Sequence, residues 1–581
     1  MTELPSPQTY RPTVMGTHFM VSTGHYLATA GALQNLHAGG NAIDAGVAAG
    51  LCINVVQPEF TNLGGVAPII LYSARDDVVR TISGLGTWPS AVDPDYFRVE
   101  CAGGMPPGVR RSVVPAAVDA WLTALKLFGT RSLAEVAAPA IALAEGGFPV
   151  YPVLHTNLTK AAPLLAQWPS SAAVFLPGGR VPAIGERLVQ RELAGTLRLL
   201  VEAEAAHRHL GREAAIQAAR DRFYRGDVAA RIAAFVAAEG GYLTADDLAR
   251  FSVDVESPVR TTYRGYDVFG CGPWCQGPVA LQTLAILQGY DLAALGHNSA
   301  DALHLILESL KAGFADREHF YGDPKFVDVP TEGLLHPDYA ATWRARIDLA
   351  RAAPGMPTPG DPWPFAGREQ PATAPYHAPE PLTAPVKADT SYLCVVDEAG
   401  NAFSATPSDV VSEAPLVPGL GIIVSDRGVQ SRLDPTHPSS IAPGKRPRLT
   451  PNPGLIMRDG RVVSPYGTPG GDAQPQAMVQ FVVNLIDFGM DPQAAIEAPR
   501  VTSFSFPNSF HPHAYLPDLV MAEARIPAAV LDDLRQRGHD VQLWPEWSAI
   551  SGSLSAVVVD RVHGTLLGAA DPRRVAYALG W

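Results

Sequence analysis

Ten prolines lie between Pro354 and Pro385, and the chain then runs directly into TSYLCVVD, a β-branched alternating stretch that begins at Thr390. Proline fixes φ and has no N–H to donate, so residues 352–387 read as a solvated, extended linker and not as an element of a core. The fold must therefore be assembled from what lies on either side of a tether that ends abruptly at a threonine. At 581 residues the chain exceeds the usual size of one domain, so it forms either two domains or one large layered one.

The texture differs on the two sides. Residues 20–56 read as two helices joined by a break at Gly39-Gly40-Asn41, followed by two strands, APIILYSA and VVRTIS, joined at Asp76-Asp77. From about Pro115 to Arg351 the pattern is mostly helical, with apolar residues recurring at three and four. After the tether the pattern turns to β. TSYLCVVD and NAFSATPS make a hairpin around Glu398-Ala399-Gly400, and GLIMRDGRVVSPYG makes a second one at Asp459-Gly460. Helices are expected at Pro475–Phe488 and near Pro492–Ala498. Strands at both ends with helices between them predict a layered α/β sandwich drawn from both halves of the chain.

Composition narrows the partners. A net charge of −13 disfavours nucleic acid or an anionic membrane surface, and no apolar run reaches membrane-spanning length. The amino terminus shows no basic segment leading into an apolar one, so no signal peptide is expected. Five scattered cysteines do not make a disulfide framework, and a cytoplasmic setting is expected.

Thr390 is the residue with chemical promise. A threonine at a chain terminus carries its own general base, the α-amine, with a pKa near ~8. An internal threonine lacks it. Cutting the Asp389–Thr390 bond would create that amine at the head of a rigid strand, although threonine is also an ordinary strand residue. A second element is Tyr466-Gly467-Thr468-Pro469-Gly470-Gly471, between a strand and a helix. Paired glycines there allow backbone N–H groups to converge as in an oxyanion hole, or simply make a glycine-rich turn.

Seven ordered stretches carry a resemblance: AGGNAIDAGVAA (38–49), EGGYLTADDLARF (239–251), YRGYDVFGCGP (263–273), ADTSYLCVVDEAGNAFSAT (388–406), PGKRPRLTPNP (443–453), GTPGGDAQ (467–474) and GAADPRR (568–574). Over nearly its whole length the chain resembles the γ-glutamyltransferase family of N-terminal-nucleophile hydrolases. The resemblance implies a four-layer αββα sandwich with a large, mainly helical section in the N-terminal part. It implies a zymogen that cuts itself before its nucleophile, giving a large subunit, 1–389, and a small one, 390–581, which stay together as a heterodimer within one structural domain. It implies amide chemistry through an acyl-enzyme, with no cofactor. On this pattern Thr390 matches the nucleophile, Ser408 stands where a supporting threonine is usual, and Gly470 and Gly471 match the oxyanion donors.

The family's grip on a γ-glutamyl group is not kept. Leu85 stands at the arginine that holds the α-carboxylate, and Leu449 and Thr450 at a serine pair that shares this task. Val410 and Gln430 stand at the asparagine and aspartate that hold the α-amino group, and Arg427 occupies a glutamine or glutamate position. A zwitterion against these side chains loses several charge-assisted hydrogen bonds, roughly 1.5–3 kcal/mol each. Arg427, with Arg432, His437 and Arg448 near it in sequence, instead fits an acyl group with a carboxylate and no amine, as in the oxamate amidohydrolase and cephalosporin acylase relatives of the family. The arginines also fit a solvated loop or structural ion pairs. The expected function is a self-processing amidohydrolase for a small carboxylated amide. The alternatives are a γ-glutamyltransferase or glutathione hydrolase with a rearranged pocket, and an unprocessed, non-catalytic member. No metal site is expected: His207/His209 and His511/His513 lack further ligands, and Cys271 and Cys275, with three residues between them, read as structural.

Overall fold

In the strand Leu393–Asp397 every residue is buried, so both of its faces are covered. Successive side chains alternate between those faces. Leu393 and Val395 pack into the cluster that holds the helix Ala42–Val56, whereas Cys394 and Val396 pack with Met20, Leu455, Met457 and Val557. The second set belongs to the other sheet or faces it, so the strand is one layer of a sandwich. These relationships come from a computed structural model that describes residues 9–371, 378–384 and 389–581.

Two seven-stranded sheets lie face to face. One runs Val14–Gly16, Thr565–Ala570, Ser555–Asp560, Arg461–Gly467, Gly454–Arg458, Tyr266–Gly270, Val259–Tyr263. The other runs Tyr577–Gly580, Phe19–Thr23, Leu393–Asp397, Ala402–Ala405, Ile69–Ser73, Val78–Ile82, Val255–Glu256. Helices Tyr26–His37 and Ala42–Val56 cover the second sheet, and Gly277–Leu287 with Ala473–Ile486 cover the first, with Ala300–Phe320 packed on Gly277–Leu287. Helix Ala42–Val56 is buried all round, as befits a helix apolar on every side, and begins at a reciprocal cap between Asn41 and Asp44. The chain is thus a four-layer αββα sandwich. Both parts of the chain contribute strands to both sheets: Phe19–Thr23 lies between Leu393–Asp397 and Tyr577–Gly580, and Tyr266–Gly270 pairs with Gly454–Arg458.

Two expectations are corrected and one is refined. Residues 20–56 are not two helices alone, because Phe19–Thr23 is a strand ahead of them. The helical stretch 115–351 is interrupted by the hairpin Val259–Tyr263/Tyr266–Gly270, which turns at Arg264 and Gly265, both with positive φ. The proline-rich segment is not solvated throughout. Trp363 is only 2% exposed and packs near Phe320. The N–H groups of Gly355, Met356 and Gly360 donate to Asp518, the Tyr515 hydroxyl and Asp316. Leu382 pairs with Tyr515. Proline removes its own donor only, and the intervening residues still find acceptors. Residues 372–377 and 385–388 of this segment lie outside the described residues. Among the described residues no helix is long and apolar enough to cross a membrane.

Candidate active site

Thr390 sits just ahead of the strand Leu393–Asp397 and is fully buried, with φ at 83°. A β-branched residue in this region is a conformational outlier that surrounding structure must hold in place, at a cost of order 1–3 kcal/mol. Its N–H donates to the Phe60 carbonyl at 3.2 Å, and its own carbonyl accepts from Arg574 at 3.3 Å. The neighbouring hairpin strand and its continuation bring Ser408 alongside, anchored by reciprocal backbone hydrogen bonds to Val66.

Four side chains close a ring. Thr390 Oγ1 donates to Asp389 Oδ1 at 2.7 Å and lies 2.8 Å from Ser408 Oγ. Arg427 Nη2 donates to Ser408 Oγ and, at 2.5 Å, to Asp389 Oδ2. Because the single Thr390 proton goes to Asp389, the Ser408 proton points at Thr390 Oγ1. The hydrogen bonds therefore run in one sense, from Arg427 through Ser408 and Thr390 to a carboxylate. This order polarises the Thr390 hydroxyl toward loss of its proton.

Arg427 is completely buried. Burial by itself disfavours its charge, but the carboxylates of Asp389, Asp409 and Asp426 outweigh that and hold its pKa above the ordinary value. Its Nε lies 2.5 Å from Asp409 Oδ1, misaligned for a hydrogen bond, and its Nη1 finds no acceptor among the described residues. Asp409, whose φ is 97°, is pushed up in pKa by burial against the opposing pull of Arg427. Thus Arg427 is present at the site but is not a free cation in the intact chain.

The remaining sequence candidates connect to this ring. Gln430 shares a short 3₁₀ turn with Arg427 and exchanges hydrogen bonds with Thr450 at 2.8 and 3.3 Å. Gln276 Nε2 donates to the carbonyls of both Thr450 and Gly471. Gly470 and Gly471 have φ of 122° and 58° and immediately precede the helix Ala473–Ile486. Neither of their N–H groups meets an acceptor among the described residues. Arg574 spans the gap, donating to the Thr390 carbonyl and to the Ala549 carbonyl, one residue from Ile550, whose carbonyl oxygen lies by Gly470. Leu85 and Leu449 pack together with Val66, Cys271, Trp274 and Cys275, while Val410 is half-buried. These side chains form an apolar wall beside Ser408.

Arg432, His437 and Arg448 do not line a solvated loop. Arg432 and Arg448, with Arg317, pair with Glu318 in a buried ion-pair cluster, and the His437 ring lies 3.5 Å from the same carboxylate. Burial keeps the His437 pKa down at about 4. Cys271 and Cys275 are free and buried, and burial raises the Cys271 thiol well above its usual range. His304, Glu308 and His539 bring three ligand-type atoms within 4.8 Å, a group absent from the sequence reading. The two imidazoles there bond each other, and Glu308 holds Lys311.

Asp409, Arg574, Gln276 and Glu59 were not among the sequence candidates. Arg574 lies in the GAADPRR stretch and Asp409 directly follows Ser408, so both carried a positional signal. Glu59 is buried beside Phe60, takes a 2.6 Å hydrogen bond from Tyr151, and is pushed up to about 8 by burial.

Residues 28–581 match the family model described as gamma-glutamyltranspeptidase. The chain is 33% identical over 571 residues to the glutathione hydrolase-like YwrD proenzyme of Bacillus subtilis (strain 168), covering 98% of this chain and 99% of that one. It is 35% identical over 572 residues to the acylase ACY 1 proenzyme of Pseudomonas sp. (strain SE83), covering 96% and 92%. It is 30% identical over 577 residues to the oxamate amidohydrolase proenzyme of Klebsiella pneumoniae subsp. pneumoniae, covering 98% and 99%. The crystal structure of cephalosporin acylase from Bacillus halodurans superposes with a TM-score of 0.84 at 30% identity, over 100% of this chain and 99% of that one.

Proposed function

The chain belongs to the gamma-glutamyltranspeptidase family, and from that premise we propose that it is a self-processing amidohydrolase with Thr390 as nucleophile. Its substrate is a small amide whose acyl part carries a carboxylate. The observation that carries this reading is the ring of Thr390, Ser408, Arg427 and Asp389, whose hydrogen bonds lead the nucleophile's proton to a carboxylate.

In maturation, Thr390 Oγ1 attacks the Asp389 carbonyl carbon, the C–N bond breaks and the nitrogen takes up the hydroxyl proton. Water then hydrolyses the resulting ester. The products are fragments 1–389 and 390–581, held together by the shared sheets. Names of relatives that include "proenzyme" agree with such processing. The freed α-amine serves as general base for the same hydroxyl in later turnovers. The N–H groups of Gly470 and Gly471 would receive the oxyanion. The apolar wall of Leu85 and Leu449, with Val410 in place of a polar group, disfavours a glutamyl amine and α-carboxylate. Arg427 favours one negative charge.

Intact mass of purified protein, followed by a screen of amides for ammonia release, tests the reading. Two fragments and turnover of carboxylated amides are expected. An active amidase that remains one chain would remove Thr390 as the nucleophile. Release of p-nitroaniline from its γ-glutamyl amide at rates matching the carboxylated amides would favour the glutathione hydrolase reading instead.

A further inference from the structure

Asp389 occupies a telling position. Its backbone carbonyl is the acyl group that Thr390 would attack in maturation, and its side-chain carboxylate is held by Arg427 Nη2 at 2.5 Å. Once the Oγ1 ester has formed, the residue attached to Thr390 is an acyl group whose carboxylate lies on the fourth carbon, counting the ester carbon as the first. That ester has the same connectivity as the acyl-enzyme of a later turnover. We propose that self-cleavage is the enzyme's first turnover, with Asp389 standing in for substrate, and that Arg427 measures a four-carbon, succinyl-type acyl chain. This rests on the reading of Thr390 as nucleophile and deepens it by naming the acyl group.

The charges favour replacement of Asp389 by an anion. Arg427 and Arg574 both face Asp389. When the end of the large fragment departs, Arg427 Nη2 loses its carboxylate, and Nη1 has no acceptor among the described residues even beforehand. Of the acids around the vacated position, Asp409 remains against Arg427, Asp426 is shared with Arg111, Asp571 is shared with Arg500 and Arg573, and Glu59 is held toward its neutral form by burial. A buried cationic site left short of a counter-charge is costly, and a substrate carboxylate restores what Asp389 supplied. A two-carbon oxamyl group is too short to reach Arg427 from Thr390 along the path that Asp389 takes, and a five-carbon glutaryl group must fold to fit it.

The test uses the mature wild-type enzyme and the monoamides of oxalate, malonate, succinate and glutarate. The expected result is a maximum of kcat/KM at succinamate, at least about tenfold above its neighbours, with succinate the strongest inhibitor among the four diacids. Arg427→Lys, which keeps the charge, should flatten this profile, and Arg427→Met should abolish the preference. A maximum at another length, or a level profile in the wild type, overturns the four-carbon measure while leaving a carboxylated-amide hydrolase in place. Hydrolysis of none of the four amides by cleaved protein overturns that broader reading and this inference together.

Discussion

Thr390 donates its hydroxyl proton to the carboxylate of the residue before it, Asp389, across 2.7 Å. The acceptor therefore lies on the acyl side of the bond expected to break, and cleavage removes it. Base and leaving fragment are one residue, so the arrangement operates once. Asp389→Asn keeps the shape but cannot take the proton. It should slow self-cleavage by ~10²-fold or more, the range of a positioned general base. The time course of intact mass measures this, with Thr390→Ala as the chain that stays whole. Unchanged cleavage in Asp389→Asn would assign the base elsewhere.

Ser408 relays between Arg427 and Thr390. Ser408→Ala leaves a buried guanidinium short of an acceptor, at about 1–3 kcal/mol in stability, and removes the donor to Oγ1. Self-cleavage and kcat should both fall by at least ~10-fold, and Ser408→Thr should restore them. Cleavage half-times and denaturant midpoints separate the chemical loss from the structural one. Full activity in a folded Ser408→Ala would take it out of the site.

Gly470 and Gly471 should act through their backbone. Alanine at Gly471 adopts the left-handed region at roughly 1–2 kcal/mol, so the fold survives while the N–H is redirected. A fall in kcat of ~10²-fold or more is expected. Gly470, at φ 122°, tolerates no L side chain without strain. A folded Gly471→Ala enzyme with wild-type kcat would exclude this turn as the oxyanion site.

On the proposed reading, specificity should follow from Arg427 and the apolar wall. Arg427→Met should raise KM for a carboxylated amide about ten- to a hundred-fold, roughly 1.5–3 kcal/mol, and hardly change that for a neutral analogue. Glutathione and γ-glutamyl-p-nitroanilide should be negligible substrates. Glutathione cleaved as efficiently as the carboxylated amides would restore the transferase reading.

Glu59 imposes a pH dependence on stability. Burial lifts its pKa from an ordinary 4.5 to about 8, with Tyr151 and Arg574 opposing the shift. Because the folded pKa is raised, its contribution is fully present below about 4.5 and is lost as pH rises through about 8. The His25 ring beside Tyr151 is held down at about 3 and stays neutral across this range. In the uncut Thr390→Ala background, the unfolding free energy from urea titrations should fall between pH 5 and 8.5 by an amount on the order of a few kcal/mol. Glu59→Gln should remove much of that slope. Parallel curves for both proteins would contradict a buried, protonated Glu59.

The hairpins around Gly400 and Asp459-Gly460, and the glycine pair ahead of a helix, were legible because alternation and turn chemistry are local signals. Phe19–Thr23 was absorbed into the neighbouring helix because a short apolar run carries too little period to separate strand from helix. Trp363 was hidden by its proline-rich surroundings, although its large apolar side chain helps to dock that segment together with backbone hydrogen bonds. The pairing of Asp389 with Arg427 was illegible for a different reason. It joins residues on opposite sides of a hairpin, and nothing in either local sequence records the ion pair. Positions were readable one by one, whereas the hydrogen-bond ring exists only in three dimensions.

The strand Phe19–Thr23 lies between Leu393–Asp397 and Tyr577–Gly580, so a break before Thr390 divides the chain without dividing the sheet. Before the break, refolding is a single-molecule event. After it, a denatured pair must meet again, and refolding yield comes to depend on protein concentration. Such a maturation would act as a ratchet: the two-fragment form would be reached from a single-chain parent, and its persistence would rest on how slowly it unfolds.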